Sequence, residues 1–493
     1  MNAHTTARRR RSGYAAIATL ALAAVASLFP VSASAAPVVP HRAAAPADVA
    51  VAGPPVLVSN GPDPLPIGCY SAADQLNPPP ERPHESSFVI NPTNPNNLVM
   101  AWIPTGARAI VAASSLDGGQ TWTNKVVPNL TDCTNSLPGL QSPFPFANDE
   151  WLSFGPDGTL YLVAELFPNI CLPMQCLGDI SPGWAVVSTS TDGRTWSAPT
   201  LVDGQIRPAV HNKSTVVADP NKPGKAYVAW FDAVTTFNTF VSVTTDGGRT
   251  WSAQPTPIPG AGVVPNQLLV LPDGRLLAVL STIENPTALL ATTSPTAFLN
   301  GVAWTPPATI ALADPNHRLL ASADVSKDGT IYVAWQTADQ QNSTSSYVFS
   351  KSRDAVIWSQ PAPVATTGGP PIPGGGPNSI MPPSVSVGED GTVGVMFYDT
   401  RRGCSSVDVS PCNTDLWFRQ SDDGGRTWSE THVAGPFDLS TALVQGPGNK
   451  PNLGDYVQGL APTSEGFADA FLVAKPLATN TTDAFFSKIT VGD

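Results

Sequence analysis

Charge is scarce in this 493-residue chain: Asp, Glu, Lys and Arg make up only 13% of it, against 42% hydrophobic residues. So apolar a composition excludes a disordered polymer and allows a large buried core. Basic residues are outnumbered, 26 to 38, which argues against nucleic acid or an anionic membrane surface as a nonspecific partner. Histidine is rare (6), and none lies close enough to the cysteines to complete a zinc set. No spaced calcium-ligand motif is present either, so neither a metal nor a cofactor is expected. Uninterrupted helical stretches are missing as well, because 52 prolines and 40 glycines are scattered between apolar alternations. The chain reads as all-β.

Only the N-terminus carries a long apolar run. Arg8 to Arg11, the stretch Ala15 to Leu28 and Ala33-Ser34-Ala35 have the basic, apolar and small-residue order of a secretory signal peptide, which places residues 1–35 outside the fold. The run is shorter than the ~20 residues of a spanning helix, and no later segment is long enough to be integral to a membrane. Loss of four arginines and no acid would move the net charge from −12 to −16. The six cysteines of an exported chain are then expected in disulfides. Cys171 and Cys176 share a loop, Cys404 and Cys412 share another, and Cys133 is a candidate partner for Cys69.

Length alone suggests two or more domains unless a repeat absorbs it, and a repeat does. Ser115-Leu116-Asp117-Gly118-Gly119-Gln120-Thr121-Trp122 recurs at 244–251 and 421–428, and one residue shorter at 190–196. Residues 352–358 keep Ser, Asp and Trp without the glycines. In each, Asp can accept backbone N–H groups of its own turn, Gly supplies positive φ, and Trp folds back over the hairpin. Apolar runs such as Leu98-Val99-Met100-Ala101-Trp102 and Ile331-Tyr332-Val333-Ala334-Trp335 recur between them, often after an Asp-Gly hairpin signal, and suit strands buried on both faces.

The repeated element resembles the Asp-box of the bacterial neuraminidase repeat, S-x-D-x-G-x-T-W, over about residues 86–490. The resemblance implies a sialidase-like β-propeller of four-stranded antiparallel blades. Seven second strands favour seven blades, with the six of the sialidases as the alternative. The last unit lacks a fourth strand, which Val56-Leu57-Val58 in the Pro-rich leader 36–85 is placed to supply, leaving 86–493 as the propeller proper. In this geometry the Asp-boxes occupy one rim as scaffold, and the long loops gather on the other, where function concentrates.

At that second rim the sequence places His84 and Glu85, Asp149 and Glu150, Asn212 and Lys213, and Asp455 and Tyr456 at first-strand starts. Glu165, Asp232, Glu284, Asp399, Arg401 and Arg402 follow second strands. Guanidinium forks bind carboxylates, which suits an acidic sugar. Sialidases use a tyrosine nucleophile activated by a glutamate, an aspartate acid/base and three arginines. Carried over by position, the resemblance implies Tyr456 as nucleophile, Glu150 or Glu85 as its base and Asp149 as acid/base. Arg401, Arg82 and Arg207 would clamp the substrate, with Asp399 and Asp455 beside them; Arg82-Pro83 and Arg207-Pro208 echo the family's early Arg motif only in part. Three readings follow: a secreted sialidase-like glycoside hydrolase for an acidic sugar or glycan, a propeller hydrolase or lyase for another polysaccharide, and a noncatalytic glycan- or protein-binding propeller. Oligomeric state is not legible.

Overall fold

Hairpin turns fold each apolar run against its sequence neighbours, and the result is seven antiparallel sheets. The computed structural model describes residues 50–491 except 62, 71–74, 76–82, 168–182, 204–210, 234–235, 261, 284–286, 296–303, 313–318, 340–343, 374–380, 443–449 and 476–481. Blade 1 passes outward through His84–Ile90, Leu98–Ile103, Val111–Ser115 and Thr123–Val126. Blade 2 comprises Phe146–Phe154, Leu160–Phe167, Trp184–Ser190 and Thr200–Leu201, and blade 3 His211–Ala218, Ala226–Asp232, Thr239–Thr244 and Thr256–Pro257. Blades 4 to 6 repeat the order from inner strands Val263–Val270, Ala321–Val325 and Ser384–Val387. Blade 7 has Leu460–Thr463, Gly466–Ala474 and Thr482–Thr490 from the C-terminal end of the chain. Its outer edge is taken by Val51–Ala52 and Val56–Leu57, which pair with Thr482–Thr490. Among the described residues the helices are single 3-10 turns, such as Ile67–Cys69 and Asp132–Thr134.

The second strands form the core. Every residue of Leu98–Ile103, Ala226–Asp232 and Val393–Asp399 is buried, because a blade is covered by a neighbour on each face. At roughly 1.5–3 kcal/mol per large apolar side chain, these stacked faces dominate the stability. Aromatic contacts cross the blade boundaries: Phe418 of blade 6 lies 5.2 Å from Phe467 of blade 7, and Phe88 of blade 1 lies 6.0 Å from Phe486 of blade 7.

Inner strands have one edge unpaired, and side chains of neighbouring blades satisfy it. Ser153 Oγ accepts the Ala218 N–H (2.9 Å), Gln267 Oε1 that of Ala323 (2.8 Å), Asp324 Oδ2 that of Val387 (2.8 Å) and Ser384 Oγ that of Leu460 (3.1 Å). Between blades 7 and 1 the backbone does it directly: Val457–Gln458 pairs in parallel with Ser86 and Ser87.

The Asp-boxes staple the hairpins between third and fourth strands. Asp117 Oδ1 accepts from Gln120 N (3.0 Å) and Thr121 N (2.9 Å), while Ser115 Oγ accepts from Gly119 N (2.8 Å). Hydrogen bonds from Thr121 and Ser115 hold the Asp117 carboxyl down at about 2. The copy without glycines works in the same way, Asp354 accepting from Val356 N (2.9 Å) and Ile357 N (2.8 Å), with Ala355 taking the positive φ of 61°. Ser115 lies opposite Leu98, at the start of a second strand, whereas His84 lies opposite Ile103, at its end. The boxes and the first-strand starts are therefore on opposite rims.

Cys69 is bonded to Cys133, and Cys404 to Cys412. Cys171 and Cys176 lie outside the described residues. These disulfides are consistent with an extracellular setting. Among the described residues no helix is long and apolar enough to cross a membrane.

Candidate functional site

Three successive inner strands begin with the same irregularity. Each pairs out of register with its second strand, between His84 and Ser86, between Asn148 and Trp151, and between Asn212 and Thr215. The bulged residues Glu85, Asp149 and Lys213 have positive φ of 47°, 49° and 59°. Such a conformation costs a non-glycine residue about 1–3 kcal/mol and persists where the surroundings over-determine it. Here it brings three charged side chains of blades 1, 2 and 3 into one buried network, to which blade 7 adds Asp455 and Tyr456.

Tyr456 Oη donates to Glu150 Oε2 at 3.2 Å. The phenol ring is held by Trp151, 5.6 Å away between centroids, and by the Lys213 ammonium 5.2 Å from its centre. Lys213 is ion-paired with Asp455, and its backbone N–H donates to Asp149 Oδ2 (2.7 Å). Glu165, opposite Asn148, accepts from the Ser214 N–H (2.9 Å) and hydroxyl (2.7 Å). Asp455 N donates to Glu85 Oε1 at 3.4 Å. Gly454 lets that approach occur: with φ of 123°, it would place a Cβ 2.5 Å from the Glu85 side chain. His84 Nε2 meets Asn452 Oδ1 at 2.8 Å, which anchors the same segment.

Burial governs the charges. It pushes Glu85, Glu150 and Glu165 well above the ordinary carboxylate range, helped by Asp455 at Glu85 and by Asp149 at the other two. It also raises the Tyr456 phenol, and Glu150 and Glu85 add to that shift. For Lys213 burial disfavours the ammonium, but Asp455, Asp149 and Glu85 outweigh it and raise the pKa. The hydrogen bond gives the Tyr456 phenol an acceptor in Glu150, which can take its proton once the carboxyl is ionised.

The network forms one wall of a pocket lined by Trp151, Lys213, Ser214, Asp455, Tyr456 and Gln458, together with Pro265, Asn266, Leu320, Ala321, Ser322 and Pro382 from blades 4 to 6. Glu85, Asp149 and Glu150 lie one layer behind the wall, each no more than 5% exposed.

Of the residues singled out from sequence, Tyr456, Glu150, Asp149, Glu85 and Asp455 are thus brought together. Arg401 and Asp399 are not part of this pocket. Arg401 is ion-paired with Asp399 and with Glu430 (3.1 Å) and lies over the Trp417 ring at 4.5 Å, all within blade 6. The reason is local: Arg401 follows the second strand and reaches outward to strands Asn413–Ser421 and Ser429–Asp438, away from the channel. Arg82, Arg207 and Glu284 lie outside the described residues. Lys213 is the participant whose role the sequence did not disclose; its place beside Asn212, aligned with His84-Glu85 and Asn148-Asp149, was the available signal.

A model of the BNR repeat-like domain matches residues 156–362. That stretch runs from the second strand of blade 2 to the fourth strand of blade 5 and includes three of the stapled boxes. The molecule is a seven-bladed β-propeller that carries BNR-like repeats. No curated protein matches the chain. Among solved structures, the propeller is similar to a lectin from Burkholderia pseudomallei (13% identity, 80% of this chain and 94% of that one, TM-score 0.45). It is similar also to an α-L-arabinofuranosidase from Fusarium graminearum (13% identity, 88% and 97%, TM-score 0.42). A mutant of Trypanosoma rangeli sialidase displaying trans-sialidase activity shares 8% identity over 82% of this chain, with a TM-score of 0.43. The propeller spans 54% of that chain.

Proposed function

We propose that the propeller is an exported glycoside hydrolase, released by loss of residues 1–35 and acting on a glycan held at the channel mouth. The Tyr456–Glu150 hydrogen bond carries this reading. Tyr456 Oη attacks the anomeric carbon as its proton passes to Glu150 Oε2, and the leaving oxygen takes a proton from Asp149 as the acid/base. Water then cleaves the glycosyl–tyrosine bond, giving its proton to the Asp149 carboxylate, and Glu150 returns its own proton to the phenolate oxygen. A phenol with an ordinary pKa of about 10 needs such a base at working pH.

A slow 2-fluoroglycosyl substrate should leave a mass adduct on Tyr456, and Tyr456→Phe should remove it with a fall in kcat of about 10³-fold. Because Glu150 accepts the proton only when ionised, and burial raises its pKa, the ascending limb of kcat/KM should lie above the range of an ordinary glutamate, about 4.3. Glu150→Gln should abolish that limb. An adduct on another residue, or none, refutes the assignment. A second reading, a glycan-binding propeller without turnover, draws on the near-complete burial of Tyr456, which is 8% exposed. It is favoured if saturable binding occurs without product and Tyr456→Phe leaves affinity unchanged.

A further inference from the structure

The charges of the described residues that line the pocket bear on its occupant. A carboxylated sugar needs at least one cation free to pair with it, because a buried anion without a partner costs several kcal/mol. Among the described residues, the cation that lines the pocket is Lys213, and its ammonium is already committed to Asp455, with Asp149 and Glu85 beside it. Arg401 is held in blade 6 by Asp399 and Glu430. Behind the wall stand Glu85, Asp149, Glu150 and Glu165, so any further ionisation makes the pocket more negative. The other lining groups are neutral: Asn266, Ser214, Ser322 and Gln458 offer hydroxyl and amide hydrogen bonds, and Trp151 offers a ring face beside Tyr456.

We infer that the pocket takes an uncharged glycosyl unit, read by hydroxyl–amide hydrogen bonds and stacking, rather than the acidic sugar suggested by sialidase-like repeats. The inference rests on the proposed site and narrows its substrate class. Asp455 is then a specificity-determining residue: by neutralising Lys213 it denies a carboxylate its cation.

The test separates binding from turnover. Full-length Tyr456→Phe protein, its folding checked by thermal melting, is titrated by saturation-transfer NMR with 4-nitrophenyl α-L-arabinofuranoside, β-D-xyloside and β-D-galactoside, and with 4-nitrophenyl sialoside and β-D-glucuronide. Wild type is assayed on the same compounds. At least one neutral glycoside should bind at least tenfold more tightly than either carboxylated one. Asp455→Asn, which frees the Lys213 ammonium, should raise affinity for the carboxylated pair by about tenfold or more. Neutral binding without wild-type cleavage would uphold this inference and defeat hydrolysis. Preferential binding or cleavage of a carboxylated glycoside would defeat this inference and leave hydrolysis standing. Binding of neither class, or no gain in Asp455→Asn, overturns it.

Discussion

Glu150 and Asp469 are both fully buried carboxyls, yet only one has a partner. Glu150 meets the Tyr456 phenol, whereas neither oxygen of Asp469 has a hydrogen-bond partner among the described residues. Asp469 lines a small pocket with Tyr398, Leu416 and Phe471, and burial pushes its pKa up to about 8. Its folded pKa exceeds the unfolded value of about 3.9, so its stability contribution is complete below about pH 4 and is lost as pH rises towards about 8. Asp469→Asn mimics the protonated form. It should change little at pH 4 but stabilise the protein by on the order of 5 kcal/mol at pH 8, measured by urea unfolding at both values. Equal effects at the two pH values would show that Asp469 is not held protonated. The contrast also marks the reach of sequence reading at this scale. Tyr456, Glu150 and Asp455 were legible as polar residues at strand starts, but whether a buried acid meets a phenol or nothing depends on the neighbouring blade.

The Asp-box is the element at which sequence and structure agree most closely, because its hydrogen bonds span at most four residues. Not every positive-φ glycine in the fold does equal service, however. Gly425 has φ of 88°, and a Cβ there would fall 2.1 Å from the Phe349 ring of blade 5, so the glycine lets the hairpin close over its neighbour. Gly391, with φ of 94°, has nothing within 4 Å. Gly391→Ala should therefore cost only about 1–2 kcal/mol of backbone strain. Gly425→Ala should cost roughly 3 kcal/mol or more, because steric overlap in a packed interface adds to that strain. Chemical denaturation of both variants checks the difference, and equal losses would show that the box glycine serves only its own turn. The inner-strand bulges are the opposite case. Glu85, Asp149 and Lys213 carry positive φ that no local turn signal announces, since the conformation is imposed by pairing with the second strand and by partners on other blades.

At the scale of the whole molecule, two features tie distant stretches of chain together. The strands Val51–Ala52 and Val56–Leu57 complete blade 7, and the Cys69–Cys133 bond joins the segment after them to the loop that follows blade 1. That bond closes a span of 64 residues, against 8 for Cys404–Cys412. By loop entropy the first contributes about 4 kcal/mol and the second about 2.5 kcal/mol. Paired serine substitutions should rank in that order in thermal and denaturant unfolding, and the reverse order would mean that the leader is not a closing element. By itself, the sequence determined the wedge: apolar second strands, tight Asp-Gly hairpins and Asp/Gly/Trp staples follow from interactions within a few residues, which an isolated segment already contains. It also placed the candidate site side chains on the rim away from the boxes, because antiparallel order leaves no other end for strand starts. Only the tertiary structure decided which of those side chains meet. Tyr456 and Glu150 are 306 residues apart and come into contact because the ring sets blade 7 near blade 2 across the channel mouth. Arg401, equally plausible by position, turns outward because acids and an aromatic ring of its own blade satisfy it nearer at hand.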